Sequence, residues 1–264
     1  MINKISKSSF FQKNGYVVVR ILNRNIFKYL KKKVLHRINS KIKKNYFSEQ
    51  NISKYHKILN DADHQKVIKN NRYVKIDKNV KDKINKNVFI NNIMKDYWGH
   101  NRFVIKWIGS SLKKSQIKNG YGGFRVSRPV KLKKFDTAGA HCDIHVGGRL
   151  SSDKKIMITA WFPLEGFSKK YTLMLYEKSH SQLHDNKKLQ KRKNSVSRIF
   201  TKEYLRKYKR KRLNMKPGEA ILLHPNLIHG GGENFGSNSR LSIEVRMYNI
   251  NNIIKYPVSL SSRS

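Results

Sequence analysis

Two histidines and one aspartate of this chain have the residue types and the spacing of a metal-binding set. His141 and Asp143 lie two residues apart in AHCDIH, and His229 follows in HPNLIHGGGEN. Two imidazoles and one carboxylate can hold one face of Fe(II) and leave the other face open for a co-substrate and O₂. The sequence therefore predicts that these three residues are the metal ligands and the catalytic centre of an iron-dependent oxygenase.

A metal site needs elements that bring distant residues together, and the second half of the chain has strand patterns that can do so. Side chains two apart at a strand end project to the same face of a sheet. From residue 102 onward, β-branched and aromatic runs alternate with Gly, Pro, Ser and Lys clusters, which is typical of an antiparallel barrel. The runs are FVIKWIG, GFRVSRPVKL, KIMITAWFPL, YTLMLYE, AILLHP and RLSIEVRMY.

The first third of the chain has a different pattern. Residues 8–22, SFFQKNGYVVVRILN, predict a short helix, an Asn-Gly turn and a valine-rich strand. Residues 26–97 show helix-like apolar spacing, for example in IFKYLKKKVLHRI, and indicate a variable helical region. We therefore expect a single domain over residues 1–264, mainly β with flanking helices, whose barrel core spans residues 102–250.

The formal net charge of +42 indicates solubility and a weak attraction for polyanions. Lysines are spread from Lys4 to Lys255, and Asn and Ile are abundant, as in proteins of AT-rich genomes. The charge therefore does not predict a specific nucleic-acid function. The densest basic segment, residues 189–212, is predicted to be an inserted helix, either a solvated face or a contact for a polyanion.

Targeting and redox signals are sparse in this sequence. The single cysteine excludes an intramolecular disulfide and fits a reducing compartment. No signal-peptide pattern follows the first lysines, and no apolar run approaches the ~20 residues that span a bilayer. We therefore expect a cytoplasmic protein without a membrane span, and the sequence does not predict its oligomeric state.

An arginine downstream of the distal histidine suits a dicarboxylate co-substrate. Arg240 lies eleven residues past His229, at the start of an alternating strand. A 2-oxoglutarate molecule that chelates iron through its keto-acid end needs a fixed partner for its distal carboxylate, and an Arg fork can form a bidentate pair with it. Ser242, two residues further, is predicted to face the same side and to donate a second hydrogen bond.

At this point the sequence resembles the phytanoyl-CoA dioxygenase-like branch of the Fe(II)/2-oxoglutarate dioxygenases. The pieces that carry the resemblance follow the family's order and cover most of the chain outside the helical region. They are FFQKNGYVVV, AHCDIH, ITAWFPLEGFSKKYTLMLYEKSHSQ and KPGEAILLHPNLIHGGGENFGSNSRLS. The resemblance implies a double-stranded β-helix, a jelly-roll or cupin-like barrel. It also implies Fe(II), 2-oxoglutarate and O₂ as cofactor and co-substrates, with release of succinate and CO₂.

The resemblance also implies roles for residues outside the metal set. Arg240 matches the 2-oxoglutarate clamp, and Trp161 matches an aromatic that lines the co-substrate pocket, although a Trp in a strand is as often plain core. Arg125 and Arg128 are three apart and so point to opposite faces of a strand. One of them is expected to bind the keto-acid carboxylate or an anionic substrate, and Arg125 is the preferred one. The aspartate at position 143 favours hydroxylation or desaturation over halogenation, because the related halogenases replace that residue by a small one.

Two alternatives remain open at the level of sequence. Arg240 and Arg246 lie six apart on one strand face, as in the nucleic-acid oxidative dealkylases of the AlkB type. A non-enzymatic, basic, nucleic-acid-binding protein on a cupin-like barrel is the other alternative. For the main hypothesis the substrate is a small molecule contacted by barrel loops and the helical region, and the basic surface favours an anionic one.

Overall fold

The structure is a computed structural model that describes residues 7–68, 72–106, 120–132, 136, 139–145, 157–184, 189–191, 198–230 and 232–249. The predicted strand FVIKWIG is described only as far as residue 106, and part of the predicted barrel core lies outside the described residues. That residues 1–264 form one domain stays a prediction.

Short helices and antiparallel strands make up the described chain. The α-helices are α1 (Lys7–Asn14), α2 (Arg24–Ile42), α3 (Tyr55–Ile58), α4 (Asp61–Ile68), α5 (Lys78–Asn85), α6 (Val88–Trp98) and α7 (Lys202–Leu205). The strands are β1 (Tyr16–Arg20), β2 (Tyr73–Lys75), β3 (Phe103–Lys106), β4 (Tyr121–Ser127), β5 (Met157–Glu165), β6 (Met174–Tyr176), β7 (Leu189–Lys191), β8 (Arg198–Phe200), β9 (Arg210–Lys211), β10 (Glu219–Leu223), β11 (His229–Gly230) and β12 (Arg240–Asn249). Single 3-10 turns span Ile52–Lys54, Val130–Leu132, Asp143–His145 and Ser179–Ser181.

Strand β12 is the centre of the larger sheet. Within the described residues this sheet has seven strands in the order β1-β10-β5-β12-β4-β2, with β3 also paired to β12, and every pair is antiparallel. Because side chains alternate along a strand, Leu241, Ile243 and Val245 share one face of β12, and Arg240 and Arg246 share the other with Ser242 and Glu244. Nearly every residue of β12 is buried, so both faces of the sheet are covered.

The outer face of this sheet packs against the helices. Leu30, Val34 and Ile38 recur every fourth residue along α2, are fully buried, and belong to the same apolar cluster as Phe124 and Ile243 of the sheet. The predicted helical region thus contains α2 to α6, and it also contributes the edge strand β2. Among the residues that the structure describes, no helix has the length and apolar character needed to cross a membrane.

The inner face of the sheet covers a second apolar cluster. Beside it lies a smaller sheet in the order β11-β6-β9. The cluster combines residues of both sheets with residues of the connecting loops: Tyr16, Trp161, Leu173, Leu175, Met215, Ile221, Leu223 and Leu227. Arg240 and Ser242, the functional residues predicted on β12, therefore face an interior lined by both sheets.

The described part of the basic segment 189–212 contains three short strands and one helical turn, so the prediction of one inserted helix is wrong. Strands β7 and β8 pair with each other, β9 pairs with β6, and α7 is a single turn. Residues 192–197 lie outside the described part. The amide of Phe200 donates to the carbonyl of Ala140 at 2.8 Å, directly before His141. Pairing with the rest of the fold therefore decides the conformation over local helix propensity.

Gly218 provides a test of the junction between β1 and β10. Its φ is +86°, and a Cβ there would lie 2.1 Å from the carbonyl oxygen of Leu22. Gly99 at the end of α6 has a similar φ of +80° but no atom within 4 Å of a Cβ. We expect Gly99→Ala to cost about 1 to 2 kcal/mol of unfolding free energy, because of the left-handed backbone alone. Gly218→Ala should cost more than about 3 kcal/mol, because the clash is added.

Chemical denaturation followed by circular dichroism measures both values. Equal destabilisation of the two variants would show that the carbonyl of Leu22 can move away without cost, and would contradict the packing described for this junction.

Candidate metal centre

His141 and His229 lie opposite each other in an isolated antiparallel bridge. The amide of His141 donates to the carbonyl of His229 at 2.8 Å, and the amide of His229 donates back at 2.9 Å. Asp143 begins the 3-10 turn that follows His141. The candidate ligand atoms of the three residues lie within 4.8 Å of one another. The structure therefore brings the three predicted ligands into one site.

Both imidazoles are oriented in the same way. Nδ1 of His141 donates to the carbonyl of Gly139 at 2.8 Å, and Nδ1 of His229 donates to the carbonyl of Leu227 at 3.0 Å. With the proton on Nδ1, the Nε2 lone pair of each ring is left as the ligand atom. The Nε2 atoms lie 3.9 Å and 3.8 Å from the two carboxylate oxygens of Asp143. Burial, together with His229, lowers the pKa of His141 to about 3, which keeps the ring neutral.

The Asp143 carboxylate is buried and held at both oxygens. Oδ2 accepts a hydrogen bond from the Thr159 hydroxyl at 2.6 Å, and Oδ1 accepts one from Nη2 of Arg246 at 3.1 Å. Burial alone would raise the pKa of Asp143, but Arg246, the two histidines and Thr159 lower it to about 2. The residue is therefore an oriented carboxylate at neutral pH.

Arg246 is the residue that sequence reasoning missed as part of this site. It is buried, and its Nε and Nη2 donate to Oε1 of Glu244 at 2.7 Å while Nη2 also reaches Asp143. Burial would lower the pKa of Arg246, but Glu244 and Asp143 hold it well above the usual value. The signal that could have found it is the alternation along β12, which places residue 246 on the same face as Arg240.

Arg240 lies on the same face of β12 and is almost completely buried. Nη1 donates to the carbonyls of Tyr171 at 2.6 Å and Gly232 at 3.3 Å, and Nη2 donates to the Ser127 hydroxyl at 2.8 Å. Burial first, then the charges of Arg125 and Arg212, lower the pKa of Arg240 to about 9. These acceptors are neutral oxygens, so an anion bound here would stabilise the buried charge.

Ser242 and Arg125 face each other across the β12–β4 pair in the same interior. Ser242 is buried two residues from Arg240, as the strand pattern predicts. The charge of Arg125 lowers the pKa of both His141 and Arg240, which places Arg125 electrostatically close to both. Arg128 instead binds Asp136 and Asp61 in a separate ion cluster. Of the two predicted arginines, Arg125 is therefore the one directed towards the metal centre.

Trp161 also lies on the interior face. It is buried within the second apolar cluster and pairs in register with Glu244 of β12. Its neighbours in that cluster include Leu175 and Ile221. The ring is therefore part of the interior core, and its role in a co-substrate pocket stays a prediction.

Comparison with models of known protein families shows which family this chain belongs to. The family model "Phytanoyl-CoA dioxygenase (PhyH)" matches residues 11–242. The chain belongs to the phytanoyl-CoA dioxygenase family. Membership makes it a 2-oxoglutarate-dependent dioxygenase with iron and 2-oxoglutarate as cofactor and co-substrate. The non-enzymatic alternative is thereby set aside, and the match favours the phytanoyl-type branch over the AlkB type.

Solved structures share the fold of this dioxygenase. EctD from S. alaskensis, with 2-oxoglutarate and 5-hydroxyectoine, matches with a TM-score of 0.58 and 14% identity over 93% of this chain and 76% of its own. SnoK, a non-heme alpha-ketoglutarate-dependent carbocyclase from nogalamycin biosynthesis, matches with a TM-score of 0.56 and 13% identity over 92% and 83%. A search of the curated proteins finds no match. At these identities the structural likeness shows the fold alone.

The donor set of this dioxygenase fits the iron that the family requires. Two imidazole nitrogens and one carboxylate converge, and each has an outer hydrogen-bond partner that fixes its orientation, as in known metal sites. The face of β12 that carries Arg246 and Arg240 extends from this centre towards a buried cationic site. The geometry thus brings together a donor set for a metal and, on the same interior face, the buried guanidinium of Arg240.

Thr159 tests whether the hydrogen bond to Asp143 tunes metal binding. We expect Thr159→Val to weaken Fe(II) affinity about tenfold, because outer partners of ligands typically contribute 10- to 100-fold. Thr172→Val is the matched control, since the Thr172 hydroxyl is buried and donates to the carbonyl of Leu213 at 2.7 Å in a different part of the fold.

Anaerobic Fe(II) titration measures the affinities, and thermal denaturation of the metal-free proteins measures their stabilities. The control should lose about 1 kcal/mol of stability and no metal affinity. Equal metal affinity in Thr159→Val and Thr172→Val would contradict a role for the Thr159 hydroxyl at the metal centre.

Proposed function

We propose that this dioxygenase binds Fe(II) through His141, Asp143 and His229 and hydroxylates a small anionic molecule. In the same reaction 2-oxoglutarate is converted to succinate and CO₂. The observation that carries the proposal is the convergence of two oriented imidazole nitrogens on one buried carboxylate, with all donor atoms within 4.8 Å. We also infer that the two antiparallel sheets are the walls of a double-stranded β-helix, because the candidate ligands lie in the interior between them.

Arg240 would hold the distal carboxylate of 2-oxoglutarate. Its guanidinium is buried, its charge is unfavourable there, and it donates to the neutral oxygens of Tyr171 and Ser127. A carboxylate is the partner that a planar Arg fork binds best. Ser242 on the same face would donate a further hydrogen bond, and Trp161 would form an apolar wall.

The charges around the opening favour an anionic substrate. About 18% of the His141 side chain is exposed, against 1% for Asp143 and 5% for His229, so the centre opens on the side of His141. Arg125 acts electrostatically on His141 and on Arg240 alike, and adds positive charge to this side. An acidic group of the substrate, or the keto-acid carboxylate of 2-oxoglutarate, could pair with it.

Iron and 2-oxoglutarate, when bound, supply the activation of O₂ and the oxidation of a C–H bond. The chain's own residues would hold the metal and the co-substrate, orient the ligands and exclude water from the site. Arg246 and Thr159 hold the Asp143 carboxylate through its two oxygens, so its orientation does not depend on the metal. Because the carboxylate is present, the proposal is hydroxylation, not halogenation.

Succinate formation tests the metal assignment. We expect the wild-type protein with Fe(II) and 2-oxoglutarate to release succinate even without a primary substrate, by slow uncoupled turnover. His141→Ala should release none above the protein-free background, because one of the three ligands is lost. The matched control His36→Ala removes an exposed histidine of α2 and should keep the wild-type rate. Equal succinate output from His141→Ala and wild type would rule out the assigned centre.

Arg240→Met tests the co-substrate site. In the metal-loaded wild type, 2-oxoglutarate at about 100 times its Kd should add about 2.7 kcal/mol of stability. We expect Arg240→Met to lose most of this gain, because the carboxylate partner is removed. Each protein is compared with its own stability without 2-oxoglutarate, because the substitution removes a buried charge but also leaves the carbonyl of Tyr171 and the hydroxyl of Ser127 without this donor.

Arg212→Met is the control for the Arg240 experiment. Arg212 donates to the carbonyls of Lys170 and Glu233, in the same loops that Arg240 contacts, and should keep the stabilisation by 2-oxoglutarate. A thermal-shift series in 2-oxoglutarate measures all three proteins. Full stabilisation of Arg240→Met would show that the co-substrate carboxylate binds elsewhere.

A further inference from the structure

A groove of about 630 Å³ lies between helix α2 and the edge of the larger sheet, and nothing in the proposed reaction uses it. Within the described chain, none of the metal-centre residues lines it. Its lining combines cations and tyrosines from α2, β2 and β4. The residues that matter are Tyr29, Lys33, Arg37, Tyr73, Lys75 and Tyr121.

Two tyrosines pack edge to face at the sheet edge and expose aromatic surface to the groove. Tyr73 and Tyr121 lie on the neighbouring strands β2 and β4, their ring centroids are 5.2 Å apart, and the rings are nearly perpendicular at 83°. Both are half-buried, and Tyr29 across the groove is 42% exposed. A flat ligand ring can stack on such faces, which is how proteins bind nucleobases without sequence preference.

The basic residues of α2 that line the groove lie on the same side of the helix as Tyr29. Lys33 and Arg37 lie four and eight residues after it, a spacing that places side chains on one stripe. Lys33 is held by Asp77 at 2.8 Å and stands over the Tyr29 ring at 5.3 Å. Nε of Arg37 is buried, and within the described residues no acceptor pairs with it. Lys75, on β2, pairs in register with Tyr121.

The positive charge at this edge exceeds the negative charge. Burial, followed by repulsion from Arg37 and Arg72, lowers the pKa of Lys41 to about 8. Burial, followed by Lys75, lowers the pKa of Lys81, and Asp77 opposes this shift. The groove itself is lined by Lys33, Arg37 and Lys75 and, among the described residues, by no carboxylate. Asp77 offsets one of these charges through its ion pair with Lys33.

We propose that this groove binds a nucleotide, either free or within a single strand of nucleic acid. The base would stack on the tyrosines, and the phosphate would pair with Arg37 and Lys75. The volume falls in the range of small-ligand pockets, about 300 to 1,000 Å³. A guanidinium and an ammonium beside aromatic faces are the groups that recognise a phosphate joined to a base. The proposal is independent of turnover at the metal centre.

The test is binding of a fluorescein-labelled oligothymidylate, followed by anisotropy over a series of salt concentrations. Removing cations with Arg37→Ala/Lys75→Ala should weaken binding and reduce the slope of log Kd against log salt by about one for each phosphate that is no longer neutralised. Removing rings with Tyr29→Ala/Tyr121→Ala should weaken binding roughly 5- to 150-fold for each stacked base, without changing the slope.

Matched controls separate the groove from the general charge of the surface. Lys28→Ala removes an exposed lysine of the same helix, and Tyr46→Ala removes a tyrosine 40% exposed and covered by Lys44 at 5.0 Å. Both should bind like wild type. His141→Ala should also bind like wild type, so that a failure of the metal assignment leaves this result unaffected.

Competitors identify the form of the ligand. Displacement of the probe by a free nucleoside monophosphate, absent in the groove variants, supports a free nucleotide. Binding of the oligonucleotide alone, with the same dependence on the groove variants, supports a single strand. The proposal is overturned if both groove variants bind like the Lys28→Ala control, or if inorganic polyphosphate displaces the probe as well as the nucleotide does.

Discussion

The two backbone hydrogen bonds between His141 and His229 are the interaction on which the candidate centre depends. They join the described segment 139–145 to β11, and β11 is itself held by β6 of the smaller sheet. Each imidazole then bonds through Nδ1 to a carbonyl two residues earlier in its own chain segment. One main-chain contact therefore sets the position of two ligands, and local geometry sets their tautomers.

Buried charge is the second constraint, and the interior face of β12 organises it. Asp143, Arg246 and Glu244 form a chain of alternating charges in which each group compensates its neighbour. The guanidinium of Arg240, six residues from Arg246 on the same strand face, donates to neutral oxygens, and the charges of Arg125 and Arg212 oppose its charge more than Asp136 favours it. The carboxylates of this face therefore lie next to Arg246, whereas Arg240 is the cation that a bound anion would stabilise. A bound 2-oxoglutarate molecule would lie in the same order, with its keto-acid end at the metal and its distal carboxylate at Arg240.

Much of the site can be predicted from sequence because its residues carry chemistry that few other patterns explain. The types of His141, Asp143, His229 and Arg240 and their order along the chain are sufficient. Alternation along β12 places Arg246 on the same face as Arg240, but its contact with Asp143 depends on how β12 pairs with β5, where Arg246 lies opposite Thr159. The preference for Arg125 over Arg128 comes from the sequence, and the register of Arg125 with Ser242 and the ion pairs of Arg128 support it. The helix predicted for the basic segment before Arg212 is wrong, since contacts with the loop that carries the ligands decide its conformation, and local propensity does not.

The central claim is that one Fe(II) binds to both histidines and to the carboxylate. X-ray absorption of the anaerobic Fe(II) protein measures this directly, because imidazole rings bound to iron give a characteristic outer-shell scattering. The account predicts the signal of two imidazoles in the wild type and of one in His229→Ala. A spectrum without imidazole scattering, or one that is the same in wild type and His229→Ala, would contradict it.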